Sequence, residues 1–282
     1  MDILPSDILS LQRIVASDSR SRCVSKLCRP EFWGEALQLF MRAPRILIVT
    51  GFFIRKAGAC ETDGPPGAAV LGRALQRVGK EVFLITDRRN YPCLRACSRS
   101  IGGPLAVHVD TPGRIPMNVG LLVYIERPGH AADGCYYNMR GDNVGDVVAP
   151  LDRAAETAME RGVPVFGIGD GGNEAGMGLL NEPLARMMPD YASCLSTVSA
   201  NLCLPVDISN WGAYALAGLL SRFYRKWIGL EENEESLMLE ALLESGAVDG
   251  VTGKPGMSVD GVPSGELEEV VRKIKNWYFG SP

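Results

Sequence analysis

From residue 45 onward the apolar residues fall into short continuous runs, and amphipathic stretches separate them. The runs are "RILIVTGFF", "EVFLITD", "LAVHVD", "LLVYIER" and "VPVFGIGD". A run without polar alternation predicts a strand buried on both faces. Between the runs, "GAAVLGRALQRVG" sets Val70, Leu71, Ala74, Leu75 and Val78 on one helical stripe, with Gly79 as its stop signal. "PLDRAAETAMERG" turns Ala154, Ala155, Ala158 and Met159 inward, and "NWGAYALAGLLSRFYRKWIG" predicts a long helix with Leu216, Leu220, Phe223 and Trp227 on its stripe. Strands alternating with helices predict an α/β fold: a mostly parallel sheet with helices on both faces, Rossmann-like and three-layered.

The flanks read as helix. Ile8, Leu11, Ile14 and Val15 share one face, and "PEFWGEALQLFMRA" opens on Pro30, a helix-start signal. "EENEESLMLEALLESG" is an acidic amphipathic helix, and a last helix follows Ser264, expected as its cap. The expected organisation is one α/β domain over 1–282, with a helical N-terminal cap (1–43), a core of sheet and helices (44–230) and a helical C-terminal extension (231–282). Two "VDGV" turns, at 248–251 and 259–262, suggest a hairpin-like loop.

Composition narrows the function classes. Hydrophobic residues at 46% and charged residues at 22% fit a soluble globular chain. A net charge of −4 argues against nucleic-acid binding, which needs clustered cations. No apolar stretch approaches the roughly 18 residues of a membrane span, and the N-terminus lacks the basic, apolar character of a signal peptide. A cytoplasmic location is expected, and self-association into a homo-oligomer is compatible with the sequence. None of the eight cysteines forms a CxxC pair, so reduced thiols are expected.

Ligands of open parallel sheets bind beyond the carboxyl ends of the strands, and three glycine-rich polar segments follow predicted strands. "ETDGPPGA" offers Glu61 and Asp63, with Gly64 and Gly67 leading into a helix start whose bare N–H groups suit an anion. It is neither a Walker A loop nor GxGxxG. "ERPGHAADGCYYNMRGDN" brings Tyr137, Asn138 and Arg140; Arg140 suits a carboxylate and Asn138 an amide or carbonyl. Its His130 is expected to be solvated. "GIGDGGNEAGMG", half glycine, carries Asp170, Asn173 and Glu174. Asp170 and Glu174 are candidate oxygen ligands for magnesium. The stretch resembles the GDGxND loop of haloacid dehalogenase-like phosphatases, but that family's DxDx(T/V) nucleophile motif is missing where "TGFFIRKAG" stands, which excludes the assignment.

Taken in order, "TGF…ETDGPPGA", "ERPG…ADGCYYNMRG", "GIGDGGNEAGMG" and "AVDGVTG…SVDG" resemble the D-glutamate cyclase C-terminal domain family over roughly residues 45–265. The resemblance implies an α/β domain linked to conversion of D-glutamate into 5-oxo-D-proline and water, a lyase reaction. Such chemistry needs a base for the ammonium and an acid for the departing oxygen. Glu61, Asp63, Asp170 and Glu174 are the candidates for those two roles, and Gly64, Gly67, Tyr137, Asn138, Arg140 and Asn173 for binding a small anionic, amino-acid-like substrate. No organic cofactor is required, and magnesium is an optional ion. Two alternatives stay open: a magnesium-dependent hydrolase or phosphate-ligand enzyme, and a non-catalytic small-molecule-binding or regulatory domain.

Overall fold

A computed structural model describes residues 3–280. Six strands form one parallel sheet: β1 (Arg45–Thr50), β2 (Glu81–Thr86), β3 (Ala106–His108), β4 (Leu121–Ile125), β5 (Val165–Gly169) and β6 (Leu202–Pro205). Their spatial order is β3-β2-β1-β4-β5-β6. The chain winds outward from β1 in one direction, returns, and winds outward from β4 in the other. The switch point therefore lies between β1 and β4, which pair directly from Ile46↔Leu121 to Thr50↔Ile125. In such sheets the crevice at the switch point receives the ligand. Five of these strands are the five apolar runs. The sixth, only four residues long and ending on Pro205, escapes the hydrophobic pattern.

The two faces are covered unequally. Successive side chains alternate between faces. Ile46, Ile48, Val82, Leu84, Val123 and Ile168 enter a large core with α1 (Pro5–Val15), α2 (Pro30–Arg42), α3 (Pro65–Arg77), α4 (Tyr91–Ser100), α7 (Ser209–Phe223), α8 (Glu234–Glu244) and α9 (Ser264–Phe279). Leu47, Val49, Ile85, Leu122 and Tyr124 face a smaller core made by the short α5 (Ala154–Glu160) and by loop residues such as Ile115, Ala175 and Val198. A further short helix, α6 (Asn181–Met187), lies after β5. Among the described residues no helix is long and apolar enough to cross a membrane.

Several expectations need correction. The N-terminal segment is not helical throughout: residues 16–29 run irregularly between α1 and α2, apart from a 3-10 turn at Val24–Leu27. Met1 and Asp2 of that segment, and the last two residues of the C-terminal extension, lie outside the described residues. The helix α7 stops at Phe223, which is exposed, and Arg225 adopts φ 54° just beyond, so Trp227 is not on that helix. Ser264 is the first residue of α9 rather than its cap. Cys60 and Cys93, expected as free thiols, form a disulfide with Cα atoms 6.8 Å apart, tying the start of the 61–67 turn to α4. Their spacing of 33 residues carries no motif, so only the fold reveals the pairing. The second "VDGV" does form a hairpin: Ser258–Val259 pairs with Val262–Pro263 around Asp260 and Gly261, both at positive φ.

Candidate functional site

Two strand ends and one helix start deliver carboxylates to the switch point. Glu126 is the first residue after β4 and Asp170 the first after β5, while Asp63 stands just before α3, after a short hairpin (Phe53–Ile54 with Ala59–Cys60) that follows β1. Glu126 has φ 45°, a left-handed backbone that non-glycine residues seldom adopt. Gly64 makes the approach possible. It has φ 97°, and a Cβ there would lie 2.7 Å from Thr50 Oγ1 and 2.9 Å from Glu126 Cβ. Any side chain at this position would push the Asp63 turn off the ends of β1 and β4.

One carboxylate oxygen from each of Asp63, Glu126 and Asp170 lies within 4.8 Å of the others, and all three residues are buried. Ser209 Oγ donates to Glu126 Oε2 at 2.6 Å. Asp63 accepts from the backbone N–H groups of Gly64, Ser209 and Asn210. Glu61 and Asp260 sit beside this triad. Arg22, from the irregular N-terminal segment, bridges Asp170 Oδ1 at 2.6 Å and Asp260 Oδ2 at 2.7 Å. Asp207, just past β6, holds that segment in place by accepting from the N–H groups of Ser17, Asp18 and Ser19 and the hydroxyl of Ser19.

Burial and mutual repulsion govern the electrostatics. Desolvation, then the Asp260 charge, pushes Asp63 up to about 8 against three backbone hydrogen bonds that pull it down. Desolvation also raises Glu126 well above the carboxylate range, helped by Asp170, Glu174, Asp63 and Glu61. Asp170 is raised mainly by desolvation, with Arg22 opposing. Glu61 rises through desolvation and the Asp260 charge. Arg22 is held firmly protonated by Asp170.

The group opens into a cleft of about 220 Å³. Glu61, Glu126, Asp170, Asn173 and Asp260 line its acidic side; Arg55, Lys56 and Arg140 stand around it with Phe52, Phe53 and Met139. Asp170 Oδ2, Glu61 Oε1 and Asn173 Oδ1 are buried and, among the described residues, accept no hydrogen bond. Buried polar atoms ordinarily have partners, so three orphans in one cleft mark unfilled bonding capacity.

The structure brings Glu61, Asp63, Asp170 and Asn173 together. Glu174 is occupied elsewhere. Its Oε1 accepts from the N–H groups of Asp170 and Gly171, and its Oε2 from Gly172, so the carboxylate shapes its own turn. The N–H groups of Gly64 and Gly67 are not open to an anion either, because Asn210 Oδ1 accepts both, at 3.0 and 2.7 Å, and so docks α7 onto the start of α3. Tyr137 points its hydroxyl at exposed Asp133, away from the acids. Asn138 lines the cleft, but its Oδ1 is taken by the N–H groups of Arg140 and Asp142. Arg140 lines the cleft and donates to the Val251 carbonyl at 2.6 Å. His130 is not simply solvated. Its Nδ1 meets buried Asp152 at 2.7 Å, and Tyr136 donates to the same carboxylate.

Sequence reasoning missed Glu126, Asp260 and Arg22. Glu126 carried a usable signal, because it follows its strand directly, as Asp170 does. Asp260 lay in the second "VDGV" turn. The first turn's Asp249 braces it by accepting from Gly261 N and Ser258 Oγ. Arg22 had no local signal.

A family model described as "D-glutamate cyclase-like, C-terminal" matches residues 11–275. The chain belongs to that family. The match reaches further back than the motifs suggested and takes in Arg22 along with the whole sheet. Among curated relatives of this D-glutamate cyclase-like chain, the mitochondrial D-glutamate cyclase of Homo sapiens is 32% identical over 315 aligned positions. The alignment covers 95% of this chain and 51% of the human protein, so the chain spans about half that relative's length. A solved exopolyphosphatase-related protein from Bacteroides fragilis overlaps 89% of this chain and 62% of its own at 12% identity and a TM-score of 0.33, too loosely to bear on fold or chemistry.

Proposed function

We propose that the cleft at the β1–β4 switch point binds D-glutamate or a close analogue and closes it to 5-oxo-D-proline with loss of water. One observation carries the reading: buried carboxylates share a small cleft with Arg55, Lys56 and Arg140, and the ion pairs of Arg55 with Asp146 and of Lys56 with Asp142 would exchange for the substrate carboxylate. The cleft's volume lies below the roughly 300–1,000 Å³ of pockets that take drug-sized ligands, and so suits a single amino acid. An amino dicarboxylate matches both sides. Its ammonium meets the acids, and its α-carboxylate meets Arg140 and Lys56. Membership of the D-glutamate cyclase-like family supports the same choice.

The chemistry balances without an outside reagent. The amine nitrogen forms a bond to the γ-carboxyl carbon, and one oxygen of that carboxyl leaves. The ammonium gives up two protons, and the departing oxygen takes two to become water. The protein must relay those protons and hold the two ends of the substrate together. Glu61, with a buried oxygen free of partners, is placed to take a proton from the ammonium and return it to the leaving oxygen. Chromatographic separation of D-glutamate from 5-oxo-D-proline, run in both directions on the purified chain, tests the reaction. Lactam formation that disappears in Glu61→Gln supports it. Tight binding of D-glutamate with no turnover would replace it by a binding role.

A further inference from the structure

The structure assigns a divalent-cation seat to Asp63, Glu126 and Asp170, a set different from the Asp170–Glu174 pair that the sequence suggested. Hard cations bind oxygen at about 2.0–2.6 Å, so two ligand oxygens on one ion sit within about 5 Å of each other. The three carboxylates meet that limit, with one oxygen apiece inside 4.8 Å. Glu174 stands outside the set: the group within that limit is Asp63, Glu126 and Asp170, while the oxygens of Glu174 face the N–H groups of its own turn.

Crowded acids alone do not make a metal site, and the orphaned oxygens are the second observation. Asp170 Oδ2, Asn173 Oδ1 and Glu61 Oε1 are unpartnered in residues only 3%, 2% and 6% exposed, and all three residues line the cleft that holds Glu126 and Asp170. Two of them lie outside the triad, and Asn173 brings a neutral oxygen of the kind that completes hard-cation shells. Asn173 is also fixed in direction, since its Nδ2 donates to the Tyr137 carbonyl at 2.9 Å. Among the described residues Arg22 is the one cation in an ion pair with these acids, and it touches only Asp170 and Asp260. Among the described residues Asp63 and Glu126 form no ion pair. Every donor is oxygen, which selects magnesium, manganese or calcium over zinc or copper.

This inference rests on the cyclase reading for its role in turnover. A cation on the triad faces the cleft where the γ-carboxylate would enter. It would accept one carboxylate oxygen, draw electron density from the carbon that the amine attacks, and stabilise the oxygen that departs. Asp63 is well fixed for such a seat, because three N–H groups hold its carboxylate in place.

Titration of the purified chain with Mn²⁺, read by electron paramagnetic resonance of the free ion and by calorimetry, tests the seat, with Mg²⁺ as competitor. The expected result is one bound ion per chain. Glu126→Gln and Asp170→Asn should each weaken binding by about tenfold or more, and Glu235→Gln, remote from the cleft, should leave it unchanged. Circular dichroism of each variant separates lost binding from lost fold. Absence of binding at millimolar Mn²⁺, or binding indifferent to both substitutions in folded protein, overturns the proposal. Lactam assays with and without chelator separate the two readings. Mn²⁺ bound at the triad with no lactam formed keeps the seat and ends the cyclase assignment. Lactam formed equally well in chelator by a chain that binds no Mn²⁺ does the reverse.

Discussion

Two acidic turns, 61–67 and 170–174, are built on one plan with opposite wiring. Each contains two carboxylates, and in each one carboxylate is pinned by three backbone N–H groups while the other keeps a free oxygen. In the first turn Asp63 is pinned and Glu61 Oε1 is open; in the second Glu174 is pinned and Asp170, paired with Arg22 through Oδ1, keeps Oδ2 open. The donors differ. Glu174 draws all three from its own turn, so it stabilises local backbone and stays out of the triad. Asp63 draws two of its three from Ser209 and Asn210 at the start of α7, so the same interaction joins two elements and leaves the carboxylate at the centre of the site. The same number of N–H groups thus confines one acid to its own turn and sets the other among the clustered carboxylates.

The largest expected effect of breaking this comparison is at Glu174. Glu174→Gln puts an amide donor against backbone donors and should cost about 4 kcal/mol of stability, measured by urea unfolding; a loss under about 1 kcal/mol would show that the turn does not depend on it. Next comes the outside anchor of the first turn. Cys93→Ser opens the bond to Cys60, beside Glu61, and should cost roughly 3 kcal/mol, visible in the same assay. Chemical reduction of the parent protein should reproduce it.

A third test uses a buried acid outside both turns. Glu235 is pushed up to about 7, by desolvation first, against a hydrogen bond from Tyr214. Its folded value lies above its unfolded one near 4.5, so its neutral form favours folding. That contribution is complete below about pH 4.5 and is lost as pH rises through about 7, amounting to roughly 3 kcal/mol. Glu235→Gln should flatten stability across that window, and an unchanged slope would refute the assignment. The smallest effect is the most telling. Burial and the neighbouring acids favour the neutral form of Glu126, so Glu126→Gln exchanges one neutral group for another and should change the stability of the metal-free protein by less than about 1 kcal/mol near neutral pH, read as Tm, while abolishing turnover. A markedly raised Tm instead would mean that Glu126 is charged in the metal-free protein.

Much of the fold was legible because its determinants are local. Strands buried on both faces, such as "LLVYI", carry no polar alternation, and α3 announces itself by its stripe and by Gly79. The sixth strand was too short to register. The site was legible in part for the same reason: Asp63 and Asp170 stand in glycine-rich turns after strands. Arg22 was not, because Asp207, far along the chain, determines where it goes. Nor could sequence tell that Asn210 would take the N–H groups of Gly64 and Gly67, since that depends on α7 docking against α3. The spacing of Cys60 and Cys93 was silent for the same reason.

The Asp207 clasp on residues 17–19 also sets where this unit begins. A polypeptide trimmed to start at β1 would keep every strand and every acid of the triad, yet it would lose the guanidinium that offsets Asp170 and Asp260. Any portion of the chain that keeps the charge balance of this cleft therefore includes a stretch with almost no regular secondary structure, fastened beside the last strand of the sheet.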